Sequence, residues 1–252
     1  MAAANLAPFW IRRQFAAIPL AGAVATRLLG SAGLQRIRVR GGPLDGATLE
    51  CDIAHEKAIW TGTFEPDLQR VLNEVVRPEM VAWDVGAHIG FFSLILARRC
   101  SHVVAVEAHP GNAARLRNHV RLNDASVEVV QVAVSDRPGR VELLEGPGSG
   151  THRLRHVAGP AWHQPNVGNL HYVEATTLDE LGVRLGPPDL IKVDIEGAEG
   201  LALAGARTVL TRKPVVICET HGDASRREVI AALQRAGYKS VSDVGGRHVV
   251  AQ

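Results

Sequence analysis

Val81-Ala82-Trp83-Asp84-Val85-Gly86-Ala87-His88-Ile89-Gly90-Phe91-Phe92-Ser93-Leu94 begins as a short apolar strand with an acidic residue near its tip. It then makes a glycine turn and enters an apolar-periodic helix that runs on through Arg98. That order is the first β-turn-α of a nucleotide-binding α/β domain. Gly86 lets the chain turn with φ > 0, and Gly90 lets helix and strand approach closely. A dinucleotide fingerprint reads Gly-x-Gly-x-x-Gly, whereas this run is Asp-x-Gly-x-x-x-Gly. An acid at the strand tip repels a pyrophosphate but suits a ligand bearing positive charge, an ammonium or a sulfonium. The stretch points to S-adenosylmethionine (SAM) rather than NAD. Glycine turns of this kind also occur with no ligand, so a second feature is needed.

The next strand supplies it. His102-Val103-Val104-Ala105-Val106-Glu107 is a buried apolar run ending in an acid. A carboxylate about 20 residues past the glycine turn, at the next strand tip, is where a ribose diol is held. Glu107 and the adjoining Ala108 are therefore cofactor candidates. Pro110-Gly111-Asn112 opens a basic helix over Ala113 to Leu122, and Val127 to Val134 reads as a third strand. Ala133 in that strand falls where an adenine ring is sandwiched in such folds.

A second chemical centre is Asp189-Leu190-Ile191-Lys192-Val193-Asp194-Ile195-Glu196-Gly197-Ala198-Glu199-Gly200. Alternation along a strand puts Lys192 and Asp194 on one side, with Glu196 just past the tip. Glu199 falls in the first turn of the next helix, where negative charge is favoured. Mutual neutralisation accounts for part of this pattern. A fifth strand, Pro214 to Glu219, again ends in an acid, and His221 lies two residues beyond it. A helix over Ala224 to Ala236 follows. Tyr238 to Val244, a Gly245-Gly246 turn and His248 to Ala251 then form a hairpin.

Upstream, Arg36 to Arg40 and Ala47 to Ile53 read as a β-hairpin, with Arg36, Arg38 and Arg40 on one solvated face. A helix from about Pro66 to Val76 has an acidic start, Glu65-Pro66-Asp67. Phe9 to Ala25 is apolar, but the part after Arg12 and Arg13 is too short to span a bilayer and contains Pro19. It is expected as a helix packed on the domain or on a second copy of the chain, with no stable membrane insertion. Net charge +2 with scattered arginines argues against a dedicated nucleic-acid binder. Three distant cysteines, Cys51, Cys100 and Cys218, form neither a disulfide framework nor a zinc cluster, which fits a reducing cytoplasm.

The stretch Gly146 to Asn169 lies between the strand-like runs Val141 to Leu144 and Leu170 to Thr176, and it carries His152, His156, Trp162 and His163. A loop that long inside a compact domain is expected to act as a lid or substrate insert. Its histidines come without cysteines and make a poor metal site. The organisation expected is an N-terminal helix and hairpin over 1–62, and a catalytic domain over 63–252 carrying the insert 146–169.

Four motifs together resemble the FkbM family of SAM-dependent methyltransferases. They are Trp83 to Gly90, Val106-Glu107-Ala108-His109-Pro110, Thr177-Leu178-Asp179-Glu180-Leu181, and Ile191 to Glu199. The resemblance covers roughly Thr63 to His221, and Lys-x-Asp-x-Glu-Gly-Ala-Glu is its most specific part. It implies a Rossmann-like class I fold: a seven-stranded, mostly parallel sheet with helices on both faces and an antiparallel final hairpin. It implies O-methylation of a hydroxyl on a sugar, polyketide or other natural product. It places SAM against Glu65, Asp84, Gly86, His88, Gly90, Glu107, Ala108, Ala133 and Asp194. His88 departs from the family, which usually has Asn there.

Methyl transfer from a sulfonium is an in-line displacement, and a poor hydroxyl nucleophile needs its proton accepted. Asp194, Glu196 and His221 are the candidate bases, with Lys192 as electrostatic partner. The other option is a divalent metal such as Mg²⁺ on Asp194, Glu219 and His221; a metal-free base is the preferred reading. A nicotinamide oxidoreductase is disfavoured by the missing glycine and the lack of a Tyr-x-x-x-Lys pattern. A non-catalytic binding module is disfavoured by acids at four strand tips: Asp84, Glu107, Asp194 and Glu219.

Overall fold

A computed structural model describes residues 33–146, 150–155 and 169–252. The expected helix over Phe9 to Ala25 lies outside the described residues, as do His156, Trp162 and His163. The chain divides into two compact units, Met1–Pro66 and Asp67–Gln252.

In the first unit β1 (Leu34–Arg38) pairs antiparallel with β2 (Thr48–Asp52), in register from Leu34↔Asp52 to Arg38↔Thr48. A short helix α1 (Lys57–Trp60) follows. The arginine face is solvated, as its alternation implies: Arg36 pairs with Glu50 at 3.1 Å, and Arg38 donates to the Gly46 carbonyl. Val39, Leu44, Ala47, Leu49 and Cys51 are buried.

The second unit takes the elements in the order α2 (Pro66–Val75), β3 (Val81–Val85), α3 (Phe91–Ala97), β4 (His102–Val106), α4 (Pro110–Leu122) and β5 (Val127–Val130). Next come β6 (Ala133–Val134), β7 (Gly139–Leu144), β8 (Arg153–Leu154), β9 (Leu170–Thr176), α5 (Leu178–Leu185), β10 (Leu190–Val193) and α6 (Glu199–Ala204). The chain ends with α7 (Arg207–Thr211), β11 (Val215–Glu219), α8 (Asp223–Arg235), β12 (Val241–Val244) and β13 (His248–Ala251). The main sheet is seven-stranded, in the order β12-β13-β11-β10-β3-β4-β5. β13 runs antiparallel to both its neighbours, and the other pairings are parallel. This is the arrangement that the resemblance implies, including the reversed final hairpin.

Strand alternation decides what each face meets. Trp83 and Val85 of β3, with Val104 and Val106 of β4, face one layer built on Leu178, Leu181, Ala202, Leu210, Val229 and Leu233. Full burial of a side chain such as Leu178 contributes about 1.5–3 kcal/mol. Asp84 points to the opposite face, where Ser93 of α3 lies behind it. Helices thus cover both sides.

One expected strand is divided. Val127–Val130 stays in the main sheet, but Ala133–Val134 turns away and pairs with β9, Ala133↔Ala175. Its partners form a separate four-stranded sheet, β6-β9-β7-β8. The runs flanking the long loop are therefore neighbouring strands, β7 and β9, antiparallel from Gly139↔Ala175 to Leu144↔Leu170. No helix among the described residues is long and apolar enough to cross a membrane.

Candidate active site

The tips of β4, β3 and β10 lie side by side in the sheet, and the candidate site is built across them. At β4 the Glu107 carboxylate is buried and held by two backbone donors. His88 N–H meets Oε2 at 2.8 Å, and His109 N–H meets Oε1 at 2.7 Å. Each oxygen keeps a further lone pair, which is what a vicinal diol requires. Burial pushes this carboxyl up to about 7, and the two N–H donors only partly counter it.

His88 sits at φ 52°, in the left-handed region. Asn is enriched there among non-glycine residues, which rationalises the usual residue in the family. The contact to Glu107 comes from the backbone, so the replacement of Asn by His leaves it in place.

Gly86, at φ 78°, makes the turn at the tip of β3. A Cβ there would stand 1.7 Å from the Asp194 carbonyl oxygen, so only glycine lets β3 and β10 end together. Gly90, at φ 91°, makes room for helix α4: its added Cβ would lie 2.2 Å from Leu116 Cδ1. The close approach expected at Gly90 is thus between the turn and α4, not between α3 and its strand.

Asp84 is engaged within the protein. It is fully buried, accepts from Ser93 Oγ at 2.6 Å and pairs with Lys192 Nζ at 3.1 Å. Parallel register sets Lys192 beside Asp84. Lys192 Nζ also lies 3.5 Å from Asp194 Oδ2 and 3.4 Å from the Gly86 carbonyl oxygen. Asp84 is therefore the nearer partner of a buried lysine, and Asp194 is the partner that faces outward.

Around Asp194 four further groups converge. His221 Nδ1 lies 3.1 Å from Glu199 Oε1, and its Nε2 lies 3.4 Å from Glu196 and 3.6 Å from Glu219. Glu199 is fully buried and organises the turn: Oε1 accepts from Ile195 and Gly197 N–H, and Oε2 from Ser225 Oγ. Glu219 is paired with Arg247.

These contacts set the protonation states. Burial and then the Asp194 charge push Glu196 up to about 8. Burial depresses His221, but the hydrogen bond and charge of Glu199, followed by Glu196 and Asp194, override it and raise it to about 9. Burial likewise opposes ionisation of Asp194. Lys192, His221 and His248, with a hydrogen bond shared with Glu219, outweigh that and bring Asp194 below the usual carboxylate range. At neutral pH Glu196 and His221 hold their protons, and Asp194 can accept one.

Ala108 and Ala133 pack together with Ala198 and Ile195 of the turn after β10. Ala133 is buried in the core of the small sheet with Leu143, Leu154, Ala175 and Ala198, and Ala108 is partly buried against that core. Glu65 belongs to the first unit, at φ 46°. Asp194, Glu196 and His221 offer ligand atoms within 4.8 Å of one another. A Glu199–His221 hydrogen bond is the kind that orients a metal-bound imidazole. In the sequence Glu199 reads only as a helix-start acid, because an acid in a first helical turn is commonplace. The signal available was its place two residues after Gly197, in a turn whose N–H groups need an acceptor.

The sequence model of the Methyltransferase FkbM domain matches residues 84–240. The chain is 26% identical over 174 residues to the hexuronic acid methyltransferase AglP of Haloferax volcanii, covering 68% of this chain and 69% of that protein. It is 26% identical over 165 residues to the 2-O-methyltransferase NoeI of Sinorhizobium fredii, covering 60% and 67% respectively. Among solved structures it is similar to a methyltransferase FkbM from Methylobacillus flagellatus KT. That match has a TM-score of 0.49 and 19% identity, over 81% of this chain and 56% of the other.

Proposed function

The chain belongs to the FkbM methyltransferase family and is a SAM-dependent methyltransferase, and on that premise we propose that it methylates a hydroxyl group of a sugar or of a polyketide-like natural product. The acceptor class draws support from the relatives, one named for hexuronic acid and one for 2-O-methylation. When bound, SAM supplies an electrophilic methyl group on a sulfonium. Glu107 takes the ribose hydroxyls, and the Gly86 turn gives the backbone its close approach. A cytoplasmic site of action belongs to the proposal, since the cofactor is intracellular.

Asp194 is the group assigned to the acceptor hydroxyl. The observation that carries this is electrostatic: of the three candidate bases, Asp194 alone is held deprotonated at neutral pH. Its side chain is also the most accessible of the three, at 21% against 15% for Glu196 and 7% for His221. Asp194 accepts the hydroxyl's proton as the oxygen–carbon bond forms. Lys192 keeps Asp194 anionic and oriented, and His221 neutralises the surrounding carboxylates. A positioned base contributes about 10²–10⁴-fold.

A second reading is favoured by the cluster itself. Asp194, Glu196 and His221 would hold a divalent cation, with Glu199 as the outer carboxylate. Such an ion would lower the hydroxyl's pKa. Incubation with isotopically labelled SAM and a panel of hexuronosides, neutral hexosides and hydroxylated natural products, read by mass spectrometry, tests the acceptor. The base reading expects transfer to survive EDTA. Loss on chelation with rescue by Mg²⁺ would favour the metal, and transfer to no hydroxyl in the panel would count against this acceptor class.

A further inference from the structure

Outside the strand-tip cluster, two imidazoles meet on one carboxylate and a third stacks on one of them. Glu145, just after β7, accepts on Oε1 from His171 Nε2 at 2.8 Å and from His109 Nε2 at 3.0 Å. Its Oε2 accepts from Asn169 Nδ2 at 2.9 Å and from Asn169 N–H at 3.3 Å. The His152 ring stacks on His109 with centroids 4.0 Å apart, and His171 meets His109 edge-on at 4.9 Å. His152 Nδ1 in turn accepts from Gly146 N–H. These residues stand where the chain leaves β7 and where it enters β9, so they clasp the base of the 146–169 insert.

His109, Glu145 and His171 offer ligand atoms within 4.8 Å of one another, which invites a metal reading. The helix cap argues against it. His109 Nδ1 accepts from Asn112 N–H at the start of α4, so the neutral ring carries its proton on Nε2, the atom that faces Glu145. A metal-bound Nε2 would require Nδ1–H, directed at another donor. The groups are held together by protons. Hydrogen bonds from His171 and then His109 keep Glu145 down at about 2, and burial keeps His152 neutral, at about 4.

His109 has a third attachment: its backbone N–H holds Glu107 Oε1. We propose that Glu145 is a positioning residue for cofactor binding, fixing His109 between the base of the insert and the ribose carboxylate so that the seating of the β7–β9 hairpin sets the affinity for SAM. The proposal rests on the SAM reading above and deepens it. Glu145 touches no reacting atom. It acts through His109, and the path is continuous: Glu145 Oε1, the His109 ring, the His109 N–H and Glu107.

Calorimetric titration of SAM into the wild type, Glu145→Ala, His109→Asn and the double variant tests it. Asn is a good helix cap, so His109→Asn keeps α4 started while breaking the link. Each single variant is expected to weaken SAM about five- to tenfold, and the double variant no more than either single, because both cut one path. kcat at saturating SAM should stay within about twofold, the pattern of lost ground-state binding. Unchanged affinity in folded variants, additive losses in the double variant, or stoichiometric Zn²⁺ binding by the wild type that His109→Asn abolishes would each overturn it. If Glu145→Ala does not fold, His109→Asn alone decides. A wild type that binds no SAM would instead sink the cofactor reading.

Discussion

Burial holds the Glu107 carboxyl at about 7, so near neutral pH the free protein carries it partly protonated. Ribose hydroxyls donate to the ionised form. A proton on Glu107 therefore competes with SAM, and affinity should rise with pH through this value. The gain expected between pH 6 and pH 8 is about tenfold, by linkage. Calorimetry across that range checks it, and Glu107→Gln should remove the slope. Glu107→Ala should lose about 1.5–3 kcal/mol of affinity. A flat profile in the wild type would remove the ribose assignment. Residues of this kind were legible because acids at strand tips stand out in apolar runs. The role of Glu199 was not, since its partner His221 lies beyond the end of β11, far along the chain from α6, and nothing local announces the pair. Asp84 was legible as a strand-tip acid, but its partners were not. Burial behind Ser93 and pairing with Lys192 follow from β10 lying next to β3, which a single strand does not disclose.

The β3-turn-α3 element is fixed by Gly86. Gly86→Ala would drive a Cβ to 1.7 Å from a backbone oxygen at φ 78°, and the backbone has no rotamer with which to yield. It should destabilise the protein by at least about 1–3 kcal/mol. Gly150→Ala is the control: its Cβ would meet His88 at 3.8 Å, an ordinary contact, and stability should move by less than about 0.5 kcal/mol. Denaturant unfolding measures both, and equal effects would show that the tight turn is not what Gly86 provides. Elements with a clear period or cap were readable: the β3 to α4 succession, the fifth strand and the final hairpin. The second sheet was not. Val127 to Val134 is valine-rich throughout, with Glu128 and Gln131 as its only polar residues, and its break at Gln131–Val132 comes from long-range pairing with β9, to which local pattern is blind. The α5 capping box, Thr177 with Glu180, shows that the third family motif is a helix start.

Across the whole second unit, β3, β4, β10 and β11 deliver Asp84, Glu107, Asp194 and Glu219, and α6 adds Glu199. A net charge of +2 gives no hint of that concentration of acids. Only the parallel register brings these strand ends to one edge of the sheet. That convergence brings separated motifs together, and in the proposed mechanism it leaves Asp194 as the proton acceptor beside protonated Glu196 and His221. The direct measurement is the turnover number for methyl transfer from labelled SAM to an accepted hydroxyl substrate, at saturating SAM, for wild type and Asp194→Asn. Asn keeps the shape and the hydrogen bonding but removes the charge and the proton acceptor. The account predicts a fall in kcat of at least about a hundredfold. A folded Asp194→Asn enzyme turning over near the wild-type rate, with or without added Mg²⁺, would contradict it.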